Sequence, residues 1–142
     1  MFKHILLPTD GSEISSAMIR KCIAFALENN AKVTGVHVLP AHPDEDPELQ
    51  GGEKNYRRDS EAHGQLCLLE ITQSAREQGV PCDTMLLRHV RPYEAILMAA
   101  REQGCDLICM ASHGRGGHQS RQVGSETLMV LLDSHIPVLV LR

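Results

Sequence analysis

Short apolar runs alternate with amphipathic stretches along the whole chain. Five of the runs are nearly uncharged and bounded by turn-forming residues, which is typical of strands buried in a sheet. They lie at about 3–8, 32–38, 84–87, 107–110 and 137–141. In the stretches between them, apolar residues recur at steps of three and four, which predicts helices with one buried face. These helices cover about 13–30, 53–78, 92–103 and 127–133.

The ends of the predicted helices carry residues suited to those positions. Ser12 can cap the first helix, and residues 29–30 are asparagines, which tolerate the left-handed conformation at a helix C-terminus. Gly79 and Gly104 follow the second and third helices, where glycine adopts that conformation without strain. Pro92 opens the third helix, where its missing N–H costs no hydrogen bond.

The order β-α-β-α-β-α-β-α-β predicts a single α/β domain over residues 1–142. Nearly continuous apolar strands separated by helices are typical of a parallel sheet covered on both faces. With right-handed crossovers, the leading topology is a doubly wound, five-stranded sheet of order 3-2-1-4-5. Ligands of such sheets bind at the carboxyl ends of the strands, where the strand order reverses between strands one and four. The loops at 8–12 and 111–125 meet there, whereas residues 39–52 are expected to form a surface loop.

A glycine-rich loop separates the fourth strand from the last helix. Free backbone N–H groups of such a loop and of a first helical turn, together with the helix dipole, favour bound phosphate. The groups that suit a phosphate here are Gly114, Gly116, Gly117, Gly124, Ser125, Thr127, Arg115 and Arg121. The sequence therefore predicts a nucleotide site, and a glycine loop without a ligand is the alternative.

Composition narrows the class of function. Aromatic residues make up 3% of the chain and tryptophan is absent, which argues against the stacking surfaces of single-strand nucleic-acid binders. The net charge of −4 disfavours a nucleic-acid or anionic-membrane partner. The sequence shows no signal peptide and no apolar segment of about 20 residues, so we expect a cytoplasmic protein without membrane insertion. Five scattered cysteines, without a Cys-x-x-Cys pair, favour buried reduced thiols over disulfide or metal roles.

Motifs of other nucleotide-binding and hydrolytic folds do not occur. No lysine follows the glycines as a P-loop requires, and only Gly11 stands where a dinucleotide fold places its glycine fingerprint. The sequence also lacks a Gly-x-Ser-x-Gly nucleophile elbow. No residue is an evident base for an attacking water, so we expect binding rather than catalysis, with slow ATP hydrolysis left open.

Five segments of the chain resemble the universal stress protein family, and the resemblance covers essentially the whole length. They are 5–12, 35–38, 106–114, 123–125 and 137–140. The ATP-binding members of that family carry Gly, two residues, Gly, nine residues, then Gly followed by Ser or Thr. Gly114, Gly124 and Ser125 match the later part of this motif, and Ala111 replaces its first glycine. The resemblance implies a Rossmann-like fold of the adenine nucleotide alpha hydrolase type and an ATP-binding stress-response protein.

The resemblance also implies roles for individual residues. Pro8, Thr9 and Asp10 resemble the residues on the ribose side, although helix capping is an equally natural role for Asp10. Val38 resembles the residue whose backbone contacts the adenine edge, and Met110 lies against the base and ribose. The implied phosphate side and its neighbours are Ala111, His113, Gly114, Gly117, Gly124, Ser125, Glu126 and Thr127.

Two hypotheses about function follow. In the first, the protein binds ATP, with or without Mg²⁺, and acts through its nucleotide state on an unidentified protein partner as a regulator or sensor. In the second, it is a nucleotide-free dimeric interaction module that keeps the fold. Ala111 and Glu126 favour the second, because one adds a methyl near the ligand and the other repels phosphate unless it points away or Mg²⁺ intervenes. The resemblance implies a homodimer through strand 137–141, or a higher oligomer, which would cover an apolar sheet edge.

Overall fold

The computed structural model describes residues 1–9, 13–41, 51–112 and 123–142. Strands and helices alternate along these segments. The strands are β1 (His4–Thr9), β2 (Lys32–Pro40), β3 (Cys82–His89), β4 (Leu107–Ala111) and β5 (Val138–Leu141). The helices are α1 (Glu13–Asn29), α2 (Gly51–Gln78), α3 (Pro92–Gln103) and α4 (Ser125–Asp133).

The five strands form one parallel sheet of order β3-β2-β1-β4-β5. The predicted doubly wound order is therefore confirmed. Because β1 lies between β2 and β4, the chain builds the sheet first on one side of β1 and then on the other. The strand order reverses between β1 and β4, where such sheets bind ligands.

The helix ends have the conformations that the sequence predicts. Asn30 follows α1 with a φ of 56°, and Gly79 and Gly104 follow α2 and α3 with φ values of 74° and 70°. Pro92 is the first residue of α3. Ser12, the predicted cap of α1, and residues 42–50 of the predicted surface loop lie outside the described residues.

Two strands exceed the apolar pattern by two residues or more. β2 continues to Pro40, and β3 extends over eight residues, whereas the pattern marks only 84–87. The added residues of β3 pair with β2 along a register that runs from Val33–Cys82 to Pro40–His89. Main-chain pairing with β2 determines the length of this edge strand. Polar residues lie at its ends, so a hydrophobicity pattern does not detect its full length.

Two apolar cores cover the two faces of the sheet. Successive residues of β1 alternate between them, because neighbouring side chains of a strand point to opposite faces. Ile5 and Leu7 pack in the core beneath α1 and α2, and Leu6 packs in the core beneath α3 and α4. Ile71 and Val130 are fully buried members of the first and second core. The predicted parallel sheet with both faces covered is thus present.

Two glycines allow α2 to lie close to the sheet. A Cβ at Gly35 in β2 would lie 2.8 Å from Cδ1 and 3.1 Å from Cγ2 of Ile71 on α2. A Cβ at Gly64 on α2 would lie 2.8 Å from the ring of buried His37 in β2. A close helix–sheet contact of this kind leaves no room for a methyl group on either side.

We expect Gly35→Ala to lower the free energy of unfolding by about 1–3 kcal/mol, because the added methyl overpacks the contact with Ile71. Ile71→Val removes the Cδ1 atom and should cost about 0.5–1.5 kcal/mol alone. In the double variant the vacated space accepts the new methyl, so its loss should be smaller than the sum of the two. Urea unfolding of the four proteins measures this coupling. Strictly additive losses would contradict the steric account.

A polar chain, buried at His4 and Thr34 and exposed at Asp83, crosses β1, β2 and β3 at the amino end of the sheet. Thr34 donates its hydroxyl proton to Oδ1 of Asp83 at 2.5 Å, and His4 Nε2 lies 2.7 Å from the same hydroxyl oxygen. Since the hydroxyl proton is used toward Asp83, Nε2 of His4 must carry the proton that it donates to Thr34.

The surroundings of this chain favour neutral His4. Burial first, and then the positive charge of Lys32, lower the pKa of His4 below its ordinary value of 6.5. The carboxylates of Asp83 and Asp106 and the backbone carbonyl of Gln103 oppose the shift without reversing it. The unfolded chain therefore binds a proton at His4 at a higher pH than the folded protein does.

The free energy of unfolding should accordingly fall as the pH drops below about 6.5, by at most about 1.4 kcal/mol per pH unit for this single group. His4→Gln keeps an N–H donor for Thr34 but cannot titrate, so its stability should decline less between about pH 6.5 and 5. His135→Gln, at an exposed position, is the matched control and should keep the wild-type slope. Denaturant unfolding at several pH values tests this. Equal slopes for the two variants would rule out His4 as the source.

Candidate functional site

The carboxyl ends of β2, β1 and β4 meet at the point where the strand order reverses. Pro8 and Thr9 end β1, and Met110 and Ala111 end β4. Val38 lies near the end of β2 and packs against the core that contains Met110. The structure therefore brings these five predicted site residues to one edge of the sheet. Asp10, His113, Gly114 and Gly117, also predicted for the site, lie outside the described residues.

The backbone of Val38 faces the position beyond the end of β1. Lys32 N–H donates to the carbonyl of Lys3, the residue before β1. Val33 N–H donates to the carbonyl of Pro81, the residue before β3. Because backbone groups of successive strand residues point to opposite sides, even-numbered Val38 faces β1. The last paired residues of β1 and β2 are Thr9 and His37. The carbonyl of Val38 consequently points past the end of β1.

The junction between β4 and α4 is closed by main-chain hydrogen bonds. Gly124 N–H donates to the carbonyl of Ser112 at 2.7 Å, and Ser112 N–H donates to Leu141 of β5 at 2.8 Å. The first bond of α4 runs from Leu128 N–H to the carbonyl of Gly124. The N–H groups of residues 125–127 precede that bond and face out of the N-terminus of the helix.

Ala111 has ordinary strand geometry. It lies in β4, paired with Leu141 of β5, and the positive φ values of non-glycine residues in the described part of the chain include only Asn30. Alanine at this position therefore causes no backbone strain. Gly124 likewise has a φ of −60° and a ψ of 152°, which any residue adopts. Glycine and alanine at position 111 therefore differ only in the space that the methyl group of alanine occupies.

Thr127 and Ser125 have different surroundings. Thr127 is buried, and its hydroxyl donates to the carbonyl of Ala111 at 2.7 Å. Its only hydroxyl proton is therefore used to fasten the first turn of α4 to β4. The side chain of Ser125 is exposed at the helix start, where it can reach a ligand.

Glu126 points toward α3. Its Oε2 atom accepts a hydrogen bond from the backbone N–H of Tyr93 at 2.8 Å. The two residues are 33 positions apart, so no local sequence pattern indicates the contact. The carboxylate lies at the N-terminus of α3, where the helix dipole favours negative charge.

A polar cluster that the sequence did not predict lies between β3 and α3. His89 Nδ1 accepts from Arg91 N–H at 2.9 Å, and the Arg91 guanidinium bonds Glu94 at 3.1 Å. This bond to Glu94 raises the pKa of Arg91, so the guanidinium remains charged. Tyr93 of the same segment packs in the core with Val38. In the sequence, the spacing of Arg91 and Glu94 at the start of a predicted helix was the signal that could have indicated this cluster.

Two buried thiols, those of Cys22 and Cys105, are suited to the core rather than to chemistry. Contact with Cys109, and then burial, raise the pKa of Cys22, and burial raises that of Cys105 to about 11. Such thiols stay protonated at neutral pH and are weak nucleophiles and metal ligands. Within the described residues, no group of three histidine, cysteine or carboxylate side chains could hold a metal ion.

Comparison with known proteins gives one consistent family. A model of the universal stress protein family matches residues 1–142. Universal stress protein MJ0531 of Methanocaldococcus jannaschii is 30% identical over 142 residues, which cover 100% of this chain and 83% of that protein. The solved structure of protein MJ0577 from the same organism has a TM-score of 0.82 and 27% identity, over 99% of this chain and 96% of that one.

Solved structures of the same fold contain adenine nucleotides. The universal stress protein of Archaeoglobus fulgidus in complex with dAMP has a TM-score of 0.73 and 18% identity, over 99% of this chain and 98% of that one. Universal stress proteins solved with cAMP and, from Arabidopsis thaliana, with AMP have TM-scores of 0.73 and 0.64. Among the described residues, no helix is long and apolar enough to cross a membrane. From the family match over its whole length and the relative at 30% identity, the chain belongs to the universal stress protein family.

Proposed function

We propose that this protein binds an adenine nucleotide, with ATP among its ligands, at the carboxyl edge between β1 and β4. The observation that carries the proposal is the closed junction of β4 and α4. The Gly124–Ser112 hydrogen bond sets the N-terminus of α4 beside the point where the strand order reverses. There the outward N–H groups of residues 125–127 and the helix dipole are available to a phosphate.

The described residues divide into a base side and a phosphate side. The carbonyl of Val38 points past the end of β1 and suits the amino edge of adenine, while Pro8, Thr9 and Met110 line the adjoining strand ends. Exposed Ser125 donates its hydroxyl to phosphate, and Gly124 lets the ligand approach the backbone. Asp10, His113, Gly114 and Gly117 complete the proposed site, as expected from the sequence.

Two further predicted residues, and the metal ion, receive more specific roles. Thr127 holds the start of α4 through its bond to Ala111 and acts on the ligand through that position. Ala111 causes no backbone strain, so its methyl is the single departure from the family motif at the strand end. Mg²⁺, when present, would be held by the phosphates and would offset negative charge near them.

Nucleotide binding would serve a regulatory role in the cytoplasm. A ligand that contacts the first turn of α4 favours the state in which that turn is ordered, and a protein partner can recognise that state. We assign no catalytic residue, because the sequence offers no evident base for an attacking water.

The proposal is tested first by mass spectrometry of nucleotide released from the purified protein, and then by calorimetric titration with ATP, ADP and AMP. Ser125→Ala should weaken binding about tenfold, because one charge-assisted hydrogen bond is lost. Gly124→Val should abolish binding by crowding the phosphate. Thr72→Ala is a matched control, since it removes a hydroxyl that bonds only within α2.

Both Thr72→Ala and Ser125→Ala should unfold at nearly the wild-type temperature, so a difference in affinity between them reports on the site. A folded wild-type protein that neither carries nor binds adenine nucleotide would contradict the proposal. The family fold would then serve the nucleotide-free interaction module.

We also propose that two copies of the chain pair through β5. Val138, Leu139, Val140 and Leu141 are all half-buried at the sheet edge beyond β4. α4, which packs beside β5, adds a group of exposed apolar side chains: Leu128, Leu131 and Leu132. An apolar edge strand of this kind is usually covered, and a second copy about a two-fold axis covers it.

Backbone groups of successive residues of β5 point alternately toward β4 and away from it, and this alternation identifies a substitution that should affect the pairing alone. The carbonyls of Pro137 and Leu141 accept hydrogen bonds from β4, so the backbone groups of Val138 and Val140 point away from the sheet. Val140→Pro removes an outward N–H but no bond to β4, and proline is tolerated at such edge positions. Val140→Thr keeps the N–H and nearly the same shape.

In sedimentation velocity over a concentration series, wild type and Val140→Thr should sediment as dimers or larger assemblies. Val140→Pro should shift to monomer while retaining its circular dichroism spectrum. A wild-type protein that remains monomeric at all concentrations would exclude the proposed dimer.

A further inference from the structure

A free backbone N–H at the N-terminus of α3 finds its hydrogen-bond acceptor on another helix, α4. The N-cap residue of α3, Arg91, makes no side-chain capping bond to a backbone N–H of the helix, and Pro92 has no N–H. The N–H groups of Glu94 and Ala95 both lie within reach of the Arg91 carbonyl, at 3.1 and 3.3 Å. The N–H of Tyr93 instead donates to the carboxylate of Glu126. Glu126 therefore takes the place that a capping side chain would occupy.

The same carboxylate lies in the first turn of α4. Glu126 is the second residue of that helix, whose own N-cap, Gly124, has no side chain. One negative charge is thus placed near the positive ends of two helices, and both dipoles favour it. It is also adjacent in sequence to Ser125, the exposed hydroxyl of the proposed phosphate side.

Within the described part of the chain, three hydrogen bonds hold the first turn of α4. Two of them reach the end of β4 and the residue after it: Gly124 N–H to Ser112, and the Thr127 hydroxyl to Ala111. The third, Glu126 to Tyr93, reaches α3, and Tyr93 packs against the same core as Val38. The carboxylate therefore links the phosphate side of the proposed site to the helix that covers this core.

We propose that Glu126 is a specificity-determining residue that positions α4 through Tyr93 and disfavours nucleotides with longer, more highly charged phosphate chains. The proposal rests on the proposed nucleotide function. The bond to Tyr93 holds the carboxylate in place between the N-termini of α3 and α4. Each further phosphate charge is therefore repelled by a fixed negative charge, and Mg²⁺ reduces the penalty.

The test compares two substitutions that separate charge from position. Glu126→Gln keeps an oxygen acceptor for Tyr93 and removes the charge, whereas Glu126→Ala removes both. Calorimetry without Mg²⁺ gives the affinity for ATP relative to AMP, and hydrogen exchange of the ligand-free protein gives the protection of the Tyr93 amide. Asp133→Asn, which removes one exposed negative charge at the other end of α4, is the control for net charge.

We expect Glu126→Gln to raise the ATP-to-AMP affinity ratio about tenfold at low ionic strength and less in about 0.5 M salt, with the Tyr93 amide still protected. Glu126→Ala should raise the ratio as well, but it should expose the Tyr93 amide and weaken the binding of both nucleotides. Asp133→Asn should leave the ratio and the exchange at their wild-type values.

Three results would overturn the proposal in different ways. An unchanged ratio in Glu126→Gln would show that the charge does not select the ligand. Identical exchange at Tyr93 in Glu126→Ala and wild type would show that the carboxylate does not position α4. Failure of wild type to bind either nucleotide would overturn the proposed function and the selectivity with it, while the exchange of the Tyr93 amide would still report on the positioning role.

Discussion

The pairing of β1 along both of its edges is the constraint on which the rest of the structure depends. Ile5, Leu6 and Leu7 are almost completely inaccessible to solvent, and they divide between the two cores. A strand buried on both faces and paired on both edges leaves only its ends open. The place where β1 stops therefore fixes where a ligand can approach the sheet.

The two ends of the sheet use polar groups differently. At the amino end, His4, Thr34 and Asp83 form hydrogen bonds to one another across three strands. At the carboxyl end, Thr127 and Glu126 bond backbone groups of other elements, and these bonds fix the start of α4. The first set joins three strands of the sheet to one another, and the second holds the N-terminus of α4 so that it faces solvent.

Hydrophobic periodicity and turn residues were sufficient to predict the elements and a parallel sheet covered on both faces. The order 3-2-1-4-5 was the leading topology among those that alternation and right-handed crossovers allow, and the structure confirms it. The same patterns placed the edge where β1, β2 and β4 end. They underestimated the length of β3, whose end residues are mostly polar because this edge strand borders solvent. They also missed the bonds of Glu126 to Tyr93 and of His4 to Thr34. Each joins residues about 30 positions apart whose types are common on any surface, so only the folded backbone reveals the pairing.

The extended backbone of Ala111 bears on how sequences of this family are compared. Because the residue lies in β4 with ordinary strand geometry, glycine and alanine are conformationally interchangeable there. A motif search that demands glycine at this point would divide the family by a methyl group rather than by a change of backbone. Sorting members by the charge of residue 126, at the start of α4, would instead group them by the feature that we propose to act on phosphate.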